Sequence, residues 1–329
     1  MGDVVVRDDR DPRPRVLLAA PLDEVAEQRL AAAAVVVRAP GNKEDALRSL
    51  IGDCDAIVAR TNTPITRRVL EAGQPRLRIV GVAGVGLDLV DVDAAREFGV
   101  RVVNRATAAP DAVAEFTVAL ILTQVRPYEK LQRGYRAGEF DALRRGADGR
   151  ELGELTVGII GMGNIGVRVG RICAAGFGAT VLYHDIREIP ELPFAARAVA
   201  HAEIWSACDV VTLHVPLTPA TRGMVNRSVL SAAVRRPILI NTARGGVVHT
   251  DDLTEALKKG WIFAAALDVT EPEPLPADHP LRFLPNCAIT PHVASRSVSG
   301  MRRMFDVVDD VIEGLANRTN SGNPALDDR

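Results

Sequence analysis

In Val157-Gly-Ile-Ile-Gly-Met-Gly-Asn-Ile-Gly166 an apolar lead-in runs straight into Gly161-x-Gly163-x-x-Gly166. The lead-in has the composition of a short buried parallel strand, and the residues from Asn164 onward have that of a helix. In a strand–turn–helix setting Gly161 permits the tight turn. Gly163 lets the backbone approach a pyrophosphate, and Gly166 lets the helix sit close on the strand. Phosphates would rest on the helix N-terminus, where N–H groups and the dipole favour negative charge. The motif alone is a weak signal in a chain with 27 glycines, but its context is specific. The helix is expected to run to Gly176-Phe-Gly178. A second apolar strand, Thr180-Val-Leu-Tyr-His184, then ends in Asp185, nineteen positions past Gly166. An acid there accepts from the ribose 2′-hydroxyl and repels a 2′-phosphate, so NAD is expected over NADP. Arg187, two residues on, is a cation able to soften that preference.

The bulk of the chain is consistent with a nucleotide-binding enzyme. At 329 residues it exceeds the size at which one core keeps growing, so two domains are expected. A hydrophobic content of 47% and a charged content of 25% are ordinary for globular protein. The net charge of −2, with no long basic run, argues against nucleic acid as a partner. No apolar run approaches the ~18 residues of a membrane span. Val4-Val-Val6, followed by Asp8-Asp-Arg-Asp11, is too short for a signal peptide. Cys54, Cys173, Cys208 and Cys287 are scattered, with neither metal-ligand nor disulfide spacing. No metal and a reducing, cytoplasmic setting are expected.

Taken in order, residues 1–14 are charged and proline-containing, and read as a disordered tail. Strands are expected at 15–20, 35–39, 55–60, 77–83 and 100–104, with helices between them opened by Asp23, Asn42 and Thr66. Strand–helix alternation with short turns means a parallel sheet covered on both faces. A long amphipathic helix is expected from Asp111 through Leu122. An arginine-rich polar arm follows Pro127. Residues 154–291 supply six apolar strands, the last four at 210–214, 238–241, 264–269 and 287–290. One helix over 297–316 and a loose polar tail are expected to close the chain.

Ligands of such sheets bind beyond the carboxyl ends of the strands, and three of those ends carry complementary ionisable groups. Asn241-Thr-Ala-Arg-Gly-Gly246 places Arg244 in a glycine-flanked loop, where its fork can hold a carboxylate through two bonds. Leu267-Asp-Val-Thr-Glu-Pro-Glu-Pro274 offers Asp268, Glu271 and Glu273, and composition does not separate the two glutamates. Thr290-Pro-His-Val-Ala-Ser295 sets His292 just past the last strand. A histidine oriented by a carboxylate is a general acid–base device.

With GIIGMGNIG, LHVPLTPATRGMVN, ILINTARGGVV, AALDVTEPEP and ITPHVAS in order, residues 15–318 resemble the D-isomer-specific 2-hydroxyacid dehydrogenase family, the group that includes D-3-phosphoglycerate dehydrogenase and glyoxylate/hydroxypyruvate reductase. The resemblance implies an α/β protein of two doubly wound parallel-sheet domains. These are a flavodoxin-like substrate domain (15–105 plus 297–329) and a Rossmann NAD-binding domain (106–296, with a dimerisation arm at 106–150), the cofactor lying in the cleft between them. It implies that Arg244 binds the substrate's carboxylate and carbonyl, and that His292 is the proton donor in reduction and acceptor in oxidation. Glu273 becomes the histidine's partner. Cofactor contacts are implied for Gly161, Gly163, Asn164, Ile165, Gly166, Asp185, Val215, Pro216, Thr242, Ala243, Arg244, Asp268, His292 and Ala294. Substrate contacts are implied for Arg60, the loop Gly84-Val85-Gly86, and Arg244. The expected reaction is hydride transfer between nicotinamide and C2 of a small 2-oxo or 2-hydroxy acid of the hydroxypyruvate/glyoxylate or 3-phosphoglycerate type, in a homodimer.

Asp88-Leu89, Arg105-Ala-Thr-Ala-Ala-Pro110 and the residues after His292 depart from the family's usual pattern without removing a catalytic group. Two alternatives stand beside the enzyme reading. One is an NAD(H)-sensing scaffold resembling the C-terminal-binding protein co-repressors, since fold does not fix function. The other is dehydrogenation of a different anion such as formate or phosphite.

Overall fold

The first strands are four or five residues long, with adjacent apolar residues rather than an apolar–polar alternation, as in a sheet covered on both faces. β1 (Arg15–Leu18), β2 (Val35–Arg38), β3 (Ala56–Arg60), β4 (Ile79–Ala83) and β5 (Arg101–Asn104) alternate with α1 (Glu24–Ala33), α2 (Glu44–Ile51), α3 (Arg67–Ala72) and α4 (Val92–Glu97). All five strands are parallel, in the order β2-β1-β3-β4-β5, which is the flavodoxin-like order. The computed structural model describes residues 11–146 and 149–317. The tail expected over 1–14 lies mostly outside the described residues, as does the polar tail after 317.

Alternate residues feed two cores. Leu17, Ile57 and Val80 pack with Leu47, Ile51, Val69 and Leu70 on one face; Val16, Leu18 and Val58 pack with Leu30 and the C-terminal helices on the other. Asp23 and Thr66 cap α1 and α3 as expected, their side chains accepting from Ala26 N and Val69 N. Asn42 does not cap α2. The helix starts after Lys43 without a side-chain cap, and the Asn42 amide instead donates to the Asn62 carbonyl at 2.9 Å.

In the second part of the chain, α5 (Pro110–Val125), α6 (Tyr128–Arg136) and α7 (Phe140–Arg145) precede β6 (Thr156–Ile160). Then come α8 (Asn164–Arg171), β7 (Thr180–His184), β8 (Arg197–Ala198), α9 (His201–Ala207), β9 (Val210–Leu213), α10 (Arg227–Ser231), β10 (Ile238–Asn241), α11 (Thr250–Lys259), β11 (Ala264–Leu267) and β12 (Cys287–Ile289). The sheet has seven parallel strands rather than the expected six, in the order β12-β11-β10-β9-β6-β7-β8. The addition, β8, is a two-residue exposed edge strand on Leu182 and Tyr183, too short to leave a pattern. α5 is buried nearly all round rather than amphipathic: only Asp111, Glu115, Ala119 and Thr123, each one turn apart, form its exposed stripe. The helix after the glycine loop ends in a π-type turn over Ile172–Gly176.

The single helix expected over 297–316 is two, α12 (Val298–Phe305) and α13 (Val307–Ala316). At Asp306 the helix tightens: Asp309 N donates to the Asp306 carbonyl at 3.0 Å, and the Arg105 guanidinium takes the same oxygen at 2.8 Å. α13 lies so close on β4 that a Cβ at Gly81 would stand 2.5 Å from Val311 Cγ2.

The chain divides into two compact units: residues up to Ala109 with those from Ser297 onward, and Pro110–Arg296. The first division falls later than position 105, since Arg105 is bonded to Asp306 and Asp310 of its own unit. No helix among the described residues is long and apolar enough to cross a membrane.

Candidate functional site

The larger sheet reverses direction of growth between β6 and β9, and at such a switch point the loops beyond the strand ends diverge and leave room for a ligand. The glycine loop follows β6. Gly161 has φ +95, and a Cβ there would meet the His214 carbonyl at 2.6 Å and Val215 Cγ1 at 2.9 Å. A Cβ on Gly166 would stand 2.1 Å from the Gly161 carbonyl, so only glycine lets α8 start this close to the strand. Gly163 is different, because nothing lies nearer than 4.0 Å to its Cβ position. Space above Gly163 is thus kept open, next to the first N–H groups of α8 at Asn164, Ile165 and Gly166, which have no acceptor within the helix. This is the geometry a pyrophosphate needs.

Val215 and Pro216 follow β9, the Pro216 carbonyl accepting from Thr221 Oγ1 at 2.6 Å. Thr242 and Ala243 follow β10 and are buried; Thr242 Oγ1 is 2.8 Å from Thr117 Oγ1 of α5. Asp185 directly follows β7, 2.8 Å from Met162 N in the glycine loop. Burial pushes its carboxyl up, but hydrogen bonds from Arg187 and Met162 outweigh this and hold it below the usual range.

Arg244 sits at the start of a short turn, Gly245–Val247, that packs against the acidic loop: a Cβ on Gly245 would stand 2.0 Å from the Thr270 carbonyl. Asn241 clamps this turn through Arg244 O at 2.9 Å and Ala243 N at 3.0 Å. The two glutamates separate cleanly. Glu271 receives Arg222 Nη1 at 2.7 and 2.9 Å, whereas Glu273 Oε1 lies 2.7 Å from His292 Nδ1. The His292 contact, followed by its charge and that of Arg244, holds the Glu273 carboxyl below its ordinary value against the opposing effect of burial.

His292 itself has φ +54, a backbone state that costs a non-glycine residue about 1–3 kcal/mol. Asp268 stabilises that turn. Its carboxylate, 1% exposed, accepts from Thr290 Oγ1 at 2.6 Å, Val293 N at 3.0 Å and Ala294 N at 2.8 Å, and its carbonyl accepts from His292 N at 2.8 Å. Asp268, expected as a cofactor contact, also holds the histidine turn.

On the smaller-sheet unit, Arg60 lies 5.8 Å from the Phe305 ring centroid, with Nη2 3.9 Å from Met301 Sδ. Gly84, at φ +158, leads into Val85 and Gly86, and Asn104 Nδ2 holds the Val85 carbonyl at 2.7 Å. Thr117, Thr290 and Asn104 were missed in the sequence because their roles are contacts with residues far away in the chain. Among the described residues no cluster of three or more His, Cys, Asp or Glu is arranged to hold a metal ion.

Residues 118–294 match the model of the D-isomer specific 2-hydroxyacid dehydrogenase NAD binding domain. The chain belongs to the D-isomer specific 2-hydroxyacid dehydrogenase family. This dehydrogenase is 36% identical to the D-3-phosphoglycerate dehydrogenase of Methanocaldococcus jannaschii over 91% of its own length, but spans only 57% of that relative. It is 33% identical to the hydroxypyruvate reductase of Thermotoga maritima, across 92% of this chain and 99% of the other. Its structure is similar to the NAD-dependent formate dehydrogenase of Staphylococcus aureus in complex with NAD. The TM-score is 0.81, the identity 31%, and the coverage 94% of this chain and 97% of the other. The dehydrogenase is an oxidoreductase of the NAD-binding type, and these likenesses favour an enzyme over a non-enzymatic scaffold.

Proposed function

We propose that the chain reduces a 2-oxo acid of the glyoxylate or hydroxypyruvate type to the D-2-hydroxy acid with NADH, and can run the reverse with NAD. The observation that carries this reading is the 2.7 Å contact of His292 Nδ1 with Glu273 Oε1, with Arg244 near enough to act on the Glu273 charge. The nicotinamide, when bound, supplies or accepts the hydride at substrate C2. His292 handles the proton. With Glu273 ionised and holding Nδ1, Nε2 is the ring atom left to donate to the C2 oxygen in reduction and to accept from the hydroxyl in oxidation. Glu273 aligns the ring and balances its positive charge. Arg244 is assigned the substrate's carboxylate and carbonyl oxygen.

Gly161, Gly163, Asn164, Ile165 and Gly166 are assigned to the pyrophosphate. Asp185, Val215, Pro216, Thr242, Ala243 and Ala294 are assigned to the rest of the cofactor. Asp268 acts through the turn it holds. On the other unit, Arg60 and the backbone N–H groups of Gly84, Val85 and Gly86 are assigned to the substrate's anionic groups.

The substrate class is supported by the relative matched over nearly its whole length, which is named a hydroxypyruvate reductase. A 3-phosphoglycerate-type substrate is the second reading, favoured by Arg60 as a cation for a second anionic group. Oxidation of NADH by purified protein with glyoxylate, hydroxypyruvate, pyruvate and 3-phosphohydroxypyruvate tests both. Preference for one of the first two, lost in Arg244→Ala and His292→Ala, supports the proposal. Preference for the phosphorylated acid would replace it by the second reading, and no turnover of any would sink both.

A homodimer joined through the arm is also proposed. α6 and α7 are exposed over almost their whole surface, with Tyr128, Tyr135 and Phe140 each at least half exposed. Two short helices with so little buried surface need a partner to stay folded. A cytoplasmic setting is supported by the unpaired cysteines Cys54, Cys173, Cys208 and Cys287. No nucleic-acid partner is proposed.

A further inference from the structure

Asp185 directly follows β7 with 6% of its side chain exposed, and four donors reach its carboxylate. Oδ2 accepts from Met162 N at 2.8 Å and Arg187 Nη2 at 3.2 Å; Oδ1 accepts from Arg187 N at 2.8 Å and Arg187 Nε at 3.1 Å. A carboxylate has about four lone-pair positions. The protein therefore already fills the acceptor that the glycine-loop fold offers to a ribose hydroxyl. The Arg187 side chain is 63% exposed, and its Nη2 is the atom nearest to the space above Gly163, 4.0 Å from where a Cβ would stand. The guanidinium thus lies between the acid and the open side of the glycine loop.

We propose that Arg187 sets the 2′ preference of the nucleotide site and opens it to NADP(H) as well as NAD(H). A bare buried carboxylate would repel a 2′-phosphate. Here the phosphate meets a guanidinium first, and the Asp185 charge is already balanced by it. A guanidinium fork suits phosphate oxygens, through charge-assisted hydrogen bonds. A 2′-hydroxyl reaches Asp185 by displacing one Arg187 contact. The guanidinium is mostly in solvent and can yield that contact, while the two backbone donors stay on the carboxylate, so NAD(H) remains a ligand. The result is a site of mixed preference, built from an acid and an arginine two residues apart.

This inference rests on reading the glycine loop as the nucleotide site. It is tested by equilibrium fluorescence titration of the full chain with NADH and NADPH, without substrate. The expected result is a wild-type ratio of Kd for NADPH to Kd for NADH within about tenfold, rising at least about threefold in Arg187→Ala through weaker NADPH binding. Met162 N and Arg187 N remain donors to Asp185 in this variant, and a Tm measured alongside tells loss of fold from loss of binding. A wild-type ratio above about tenfold, or a ratio that Arg187→Ala raises by less than about threefold, overturns the role of Arg187 while NADH binding upholds the nucleotide site. Failure to bind either nucleotide overturns both.

Discussion

The Thr290 hydroxyl stands 2.6 Å from Asp268 Oδ1, inside a turn whose other two donors, Val293 N and Ala294 N, also point at that carboxylate. The buried acid is thus the hub on which the His292 turn is wound. Asp268→Asn puts an amide N–H where an acceptor is needed and leaves a buried backbone donor unpaired. It is expected to cost about 2–3 kcal/mol in urea unfolding and to lower kcat. Thr290→Val removes one bond and is expected to cost about 1 kcal/mol. An Asp268→Asn protein as stable and active as wild type would contradict this role.

If His292 is the proton donor, His292→Gln is expected to lower kcat by about 10²–10⁴, with NADH affinity changed less than about threefold. Glu273→Gln should lower kcat by a smaller factor. The pH profile carries a further sign. Glu273 is held below the ordinary carboxylate value of 4.5 by its contact with His292, so it stays ionised as pH falls through that value. Loss of reductive activity through Glu273 protonation is therefore expected only below pH 4.5; an acid limb near pH 6 that vanishes in Glu273→Gln would refute it.

Gly163→Ala and Gly166→Ala should behave differently, although both alter the same motif. The Gly166 methyl would stand 2.1 Å from a backbone oxygen, so this variant should lose about 3 kcal/mol of stability as well as nucleotide binding. The Gly163 methyl meets nothing inside 4.0 Å, so Gly163→Ala should keep the wild-type Tm and lose only nucleotide affinity. Thermal melts with and without NADH separate the two outcomes.

His214 is partly buried, with its Nδ1 fully shielded from solvent, and desolvation lowers its pKa from 6.5 to about 3. As pH falls below 6.5 the unfolded chain takes up a proton that the folded chain refuses, so stability falls with pH down to the folded value. Between pH 6.5 and pH 5 this one group should remove about 2 kcal/mol. Urea unfolding at several pH values should show this slope flattened in His214→Gln. An unchanged slope would mean that other groups dominate acid destabilisation.

If the arm joins two copies, replacing Tyr135 and Phe140, whose rings are 6.1 Å apart in an edge-on pair, by Ser should shift the protein from dimer to monomer in analytical ultracentrifugation. A dimer of unchanged stability would place the interface elsewhere.

Strand–helix alternation, the nucleotide loop and the three ionisable strand ends were legible in the sequence because each is a local pattern: apolar runs, glycine spacing, and a charged residue next to a strand terminus. What that reading missed was either too short to leave a pattern or set by contacts distant in the chain. β8 is two residues long, and the kink at Asp306 depends on a carbonyl shared with Arg105, which no periodicity reveals. The cap predicted at Asn42 failed because the helix starts one residue later, with Lys43 at the cap position, and the Asn42 amide N–H is turned to the Asn62 carbonyl.

The sequence by itself therefore determined the class of fold and the NAD-binding family, and it marked the candidate proton-transfer histidine, since short motifs carry these. Tertiary structure decided which of two neighbouring glutamates faces the histidine. It also turned Asp268 inward to hold a strained turn and covered Asp185 with Arg187. Each of these is a contest among charged groups for partners, settled by distances of about 3 Å that only the folded backbone sets.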